Sequence, residues 1–108
     1  MKKANRVRKH EEFSEIIHQH NCCRGKLTSI YWLAKPEHSV RIGISVGKKN
    51  GGAVTRVRIK RQVRAICDEL FATSDPYDVI IVVKPAYTPE LRERIREEIR
   101  EAIAKFGE

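Results

Sequence analysis

From Lys48 to Arg64 the chain places seven basic side chains, Lys48, Lys49, Arg56, Arg58, Lys60, Arg61 and Arg64, with no acid among them. A solvated helix face is the bland account of such a run. Three features point instead to bound phosphate. Without interspersed acids, no i,i+4 ion pair relieves the repulsion. Most of these side chains are arginine, whose planar fork matches phosphate oxygens. The glycines at 51 and 52 set backbone N–H groups beside two lysines and the start of a helical pattern, a natural anion site. The nucleotide-binding spacing GxxxxGK[ST] is absent, because the lysines precede the glycines. The run is therefore read as gripping a nucleic-acid backbone.

Aromatic side chains give a second signal. Phe13 and Tyr31 are placed to sit near a small-residue sheet face at Gly43 and Ser45, and an aromatic-lined groove with basic edges suits single-stranded RNA. Core packing of both rings is the alternative. The stretch HQHNCC gathers His18, His20, Cys22 and Cys23. Histidines two apart on a helix face different ways, and neither CxxC nor HxxxH spacing occurs, so a zinc site has little support. No nucleophile–base pair or paired carboxylate stands out, and His10 and His38 read as surface residues.

Charge distribution agrees with a polyanionic partner. The net charge is +8, yet residues 1–64 hold 16 Lys/Arg against 4 acids, and the remainder is acidic. An anionic membrane fits less well, since the charges occupy a wide helix face rather than the flanks of an apolar one. No run reaches membrane-spanning length, and the basic start lacks the apolar stretch of a signal peptide. Three cysteines, an odd number, suit reduced thiols and a cytoplasmic location.

The 108 residues are read as one domain, 1–108, with 1–9 a basic arm. A short helix is expected at 10–19, where Phe13, Ile16 and Ile17 share a face. Strands are expected at 26–34 and 40–46. In the second, Val40, Ile42, Ile44 and Val46 alternate with Arg41, Gly43 and Ser45, leaving one apolar face and one bare face. A helix over 53–71 carries an Ile59, Val63, Ile66, Leu70 core stripe, with Arg56, Lys60 and Arg64 along its flank and Arg58 and Arg61 behind. Residues 77–84, YDVIIVVK, read as a strand buried on both faces. Thr88-Pro89-Glu90 reads as a capped start for a last helix, whose stripe is Leu91, Ile95, Ile99, Ile103 and Phe106. The order α-β-β-α-β-α predicts a two-layer α/β (α+β) sandwich with a small mixed sheet.

RIGISVGKKNGGAVTRVRIKRQVRAI, with RKHEEFSEII before it and YWLAKPE and YDVIIVVKPA around it, resembles the bacterial ribonuclease P protein subunit over nearly the whole chain. The resemblance implies a left-handed crossover in the 40–84 strand-helix-strand unit. It also implies a catalytic RNA partner that removes the 5′ leader of precursor tRNA using Mg²⁺, with no cofactor held tightly by the protein, no catalytic residue in this chain and no obligate protein partner. Lys48, Lys49, Arg56, Arg58, Lys60, Arg61 and Arg64 would bind RNA; Phe13, Ile17, Tyr31, Ser45 and Lys48 would line the leader cleft. Two positions depart from the family signature: Gly52 and Val57 stand where asparagine is usual. A ribosomal-type RNA-binding module, or a divergent or redesigned scaffold of this fold with weakened activity, are the alternatives.

Overall fold

A computed structural model describes residues 16–17, 21–35, 39–72 and 75–106. Four strands form one sheet: β1 (Cys22–Arg24), β2 (Thr28–Ala34), β3 (Arg41–Val46) and β4 (Tyr77–Val83). A long helix, α1 (Ala53–Leu70), joins β3 to β4, and α2 (Arg92–Ile103) follows β4. The strand order is β1-β2-β4-β3, with β3 parallel to β4 and the other pairs antiparallel. The mixed sheet and two helices are the expected sandwich. The expected helix at 10–19 lies outside the described residues except for Ile16 and Ile17, which are helical.

Alternation along each strand separates two faces. Ile30, Ile42, Ile44, Val46, Val79, Ile81 and Val83 turn toward the helices and join Ile59, Val63, Ile66, Cys67, Ile95, Ile99 and Ala102 in one core. Burying these side chains removes apolar surface from water, the dominant favourable contribution to folding. Trp32 packs against this core and stacks on Phe106 with ring centroids 4.5 Å apart. Tyr31, its neighbour in sequence, faces the opposite way, where Ile16 covers Ile80 in a second, smaller cluster. As the apolar run implied, β4 is buried on both faces: Val79, Ile80 and Ile81 have no exposed surface.

Specific polar contacts hold the layers in register. The Glu98 carboxylate on α2 accepts hydrogen bonds from the Leu27 and Thr28 amides and from the Thr28 hydroxyl at 3.0–3.1 Å. A side chain at Gly25 would collide with that carboxylate and force it to shift from these bonds. At the other end of the sheet Arg41 forks onto buried Asp78, at 3.0 and 2.7 Å. Asp78 is buried whereas the Arg41 side chain is 25% exposed, so the desolvation cost of breaking the pair falls on the carboxylate.

Two details differ from the sequence expectation. β1 was not anticipated: it is a three-residue edge strand within Asn-Cys-Cys-Arg, too short to show an alternating pattern. The last helix does not begin with a hydroxyl cap. Pro89–Leu91 forms a 3₁₀ turn closed by the Leu91 amide on the Thr88 carbonyl oxygen, and the Thr88 side chain makes no capping bond. Instead the Thr88 hydroxyl, with the Glu90 amide, holds the Glu90 carboxyl below its usual range.

Candidate nucleic-acid interface

The lysine loop and α1 form a continuous basic element. After β3, Lys48–Asn50 makes a single 3₁₀ turn with Lys48 and Lys49 exposed. Gly51 then adopts φ 131°, a conformation that L side chains rarely accept, and there a Cβ would press on Thr55 at 3.0 Å. This glycine reverses the chain so that α1 starts beside the lysines. Gly52 occupies the N-cap in extended conformation with open space around it and no side-chain bond to the first turn. The loop is anchored by Asn50, whose Nδ2 donates to the Lys84 carbonyl oxygen at 2.9 Å.

Helical periodicity divides the basic side chains into two groups. Ile59, Val63, Ile66 and Cys67 are the buried face of α1. Gln62 accepts from the Tyr87 hydroxyl at 2.8 Å, and Glu69 pairs with Arg96 at 3.2 Å, which identifies the flank turned toward α2. Arg56, Lys60 and Arg64, at i, i+4 and i+8, occupy the opposite flank, beside edge strand β3. Arg56 and Arg64 are half-buried, and the burial reaches their guanidinium groups: Arg56 Nε and Arg64 Nη1 are shielded from solvent. Arg58 and Arg61 are exposed on the outer surface, as the wheel implied. Val57 is there too, 47% exposed and outside the core.

The second surface is the sheet face away from α1 and α2. Strand register sets it out in rows. Cys22, Tyr31, Ile80 and Gly43 lie side by side across the four strands, and the next row is Arg24, Ser29, Val82 and Ser45. Tyr31 is half-buried against the Ile16–Ile80 cluster, and Ser45 is also half-buried. Tyr31 and Ser45 thus share a face but are two strand spacings apart, about 10 Å. Ile80 and Val82 of β4 occupy the middle of that span, and Gly43 lies on β3 with Ser45. Ile17, Cys22, Arg24 and Tyr31 line a groove of about 410 Å³ at the β1 side. Phe13, the other aromatic assigned to the cleft, lies outside the described residues.

Arg24 and Cys22 are the groove residues that sequence reasoning missed. The Arg24 guanidinium donates hydrogen bonds to the Tyr31 oxygen and the Cys22 sulfur, and these contacts raise its pKa. Their signal was the i,i+2 spacing of Cys22 and Arg24, which places both on one face only once β1 is known to be a strand. Of the HQHNCC set, Cys22 and Cys23 are half-buried free thiols on β1, while His18 and His20 lie outside the described residues. Among the described residues, no group of three or more His, Cys, Asp or Glu side chains is arranged to hold a metal ion. No helix among them is long and apolar enough to cross a membrane.

Comparison with known proteins agrees with the fold. The Ribonuclease P family model matches residues 1–107. The chain is 40% identical over 87 residues to the ribonuclease P protein component of Enterococcus faecalis, spanning 79% of this chain and 74% of that protein. It is 36% identical over 107 residues to that of Lactobacillus helveticus, spanning 96% and 88%. The structure of the Staphylococcus aureus RNase P protein superposes with a TM-score of 0.79 at 28% identity, covering 95% of this chain and 97% of that one. The RNase P protein from Thermotoga maritima, at 21% identity and a TM-score of 0.65, shares the fold over 92% and 91% of the two chains. On sequence and structure together, this chain belongs to the ribonuclease P protein family.

Proposed function

We propose that this protein is the RNA-binding subunit of a cytoplasmic ribonuclease P that removes the 5′ leader of precursor tRNA. The observation that carries this reading is the junction of two surfaces at one loop. Lys48 and Lys49 sit where the acid-free basic helix α1 meets the end of β3, whose half-buried Ser45 lies on the sheet face away from α1. In this reading Lys49, Arg56, Arg58, Lys60, Arg61 and Arg64 engage the phosphates of a catalytic RNA. Binding releases the counterions condensed on that RNA, which offsets the crowding of like charges on the free protein. Lys48, Ile17, Tyr31 and Ser45, with Phe13, hold the single-stranded leader, so the two RNAs are aligned by one rigid domain. Phosphodiester hydrolysis belongs to the RNA and its Mg²⁺; the protein supplies binding and orientation. The ribosomal-type alternative draws no support from the family match.

The test is reconstitution with a bacterial ribonuclease P RNA and a precursor tRNA at low Mg²⁺. Faster cleavage than by the RNA alone is expected. Tight RNA binding without stimulation overturns the subunit assignment, and no binding at all identifies a scaffold that has lost the activity.

A further inference from the structure

We propose that Val54 and Val57 form an apolar step on the outer face of α1 that receives the face of an unpaired nucleobase from the RNA partner, between phosphates held by Arg58 and Arg61. This deepens the function proposed above and rests on it. Val54 is 85% exposed and Val57 47%; with Ile17, they are the large hydrophobic side chains left exposed among the described residues. Folding does not account for them, since α1 buries Ile59, Val63, Ile66 and Cys67 on its other side. Helix propensity does not either, because a β-branched residue at an exposed position is poorer than alanine or lysine. Together with Ala53 they line a concavity bounded by Arg58 and Arg61.

The occupant follows from the chemistry of floor and walls. Phosphate alone gains nothing from valine. A second copy of this chain would bring the same acid-free basic helix against itself, and like charges across an interface are unfavourable. A paired RNA helix presents ribose and phosphate and hides its base faces in the stack, whereas loops and bulges splay bases out. A splayed base offers an apolar face between two phosphates, which matches valines between two arginine forks. This contact, unlike those of the surrounding cations, does not release counterions, so its strength is independent of salt.

The experiment uses the full chain and a bacterial ribonuclease P RNA. Threonine keeps the shape and branching of valine and replaces one methyl by hydroxyl, so V54T, V57T and the double variant retain the helix. Kd for the RNA should rise about four-fold per substitution, the loss expected when one methyl-sized group is no longer buried. The log–log salt slope should stay as in the wild type, and affinity for a fully paired RNA duplex should not change. Unchanged affinity for the ribonuclease P RNA overturns the proposal, as does an equal loss on the duplex or a shallower salt slope. A valine-dependent dimer in sedimentation overturns it too, by making a second copy the occupant. If the wild type fails to bind the ribonuclease P RNA, the functional reading itself falls, an outcome distinct from wild-type binding that the threonines leave untouched.

Discussion

Asn50 ties the lysine loop to the end of β4: its Nδ2 donates to the Lys84 carbonyl oxygen at 2.9 Å, across 34 residues of sequence. Lys84 is itself fixed, its Nζ donating to the Gly25 carbonyl oxygen at 2.5 Å. The cations at 48 and 49 are thereby referred to the sheet rather than to their own loop. Asn50→Ala should lower stability by about 1 kcal/mol for the lost hydrogen bond and weaken RNA binding without unfolding the domain. Asn50→Asp should be worse, since it replaces the donor by a charge facing a carbonyl oxygen. Thermal melts and RNA titrations of the two variants check the ranking; equal behaviour of Ala and Asp would mean the amide donor does not hold the loop.

The exposed arginines should account for a salt-sensitive share of RNA affinity. Arg58→Ala with Arg61→Ala removes two phosphate partners from the outer face of α1 while leaving its buried stripe intact. The log–log salt slope of RNA binding should become shallower by roughly one unit per lost contact. The melting temperature should hardly move. An unchanged slope would place the RNA on another surface.

Tyr31 discriminates between the two RNAs. It is half-buried against Ile80, so part of the ring packs and part is available to a ligand. Tyr31→Ala should weaken binding of precursor tRNA by about 1–3 kcal/mol, the scale of stacking on one base. Binding of mature tRNA, which has no leader, should change far less. Equal losses on both RNAs, or a collapse of the fold, would make Tyr31 a packing residue only.

The adjacent glycines before α1 should respond in opposite ways. Gly51→Ala forces a Cβ into the φ 131° conformation and onto Thr55, and should destabilise the protein. Gly52→Asn introduces a side chain into open space at the N-cap, where an amide oxygen can accept from the first turn. Its gain should be only a few tenths of a kcal/mol, because glycine is already a tolerable cap. Chemical denaturation of both variants measures the contrast; a destabilising Gly52→Asn would show that the loop needs glycine twice.

What could be read from the chain alone depended on pattern length. α1 and α2 run for several turns, so their stripes at Ile59–Ile66 and Ile95–Ile99 repeat often enough to identify the buried face. β4 was legible because an unbroken apolar run of that length belongs in the middle of a sheet. The opposite facing of Tyr31 and Trp32 follows from strand geometry alone. β1 escaped because three residues carry no period, and Arg24 escaped with it. The pairing of Glu98 with the start of β2 spans some seventy residues and has no local signature. The helical wheel already sets Val57 between Arg61 and Arg64, away from the core stripe; the concavity it forms with Ala53 and Val54 needed the three-dimensional surface.

Cys67 gives the fold an alkaline limit. It is fully buried on the inner face of α1, and burial raises its thiol from an ordinary pKa of 9.0 to about 12, with Asp68 adding to the effect and Arg64 opposing it. Desolvation disfavours the thiolate, so the folded state holds the proton more tightly than the unfolded chain. The stabilisation is present in full below the unfolded value and is lost as pH rises from about 9 toward 12. Cys67→Ala removes that proton linkage. The difference in unfolding free energy between wild type and variant should therefore fall with pH above 9, with a slope approaching about 1.4 kcal/mol per unit. A second readout is chemical. Near neutral pH a water-soluble disulfide reagent should reach the half-buried Cys22 and Cys23 and spare Cys67 until denaturant is added. Modification of all three thiols in the native protein, at the same rate, would mean that α1 opens far more readily than its packing implies.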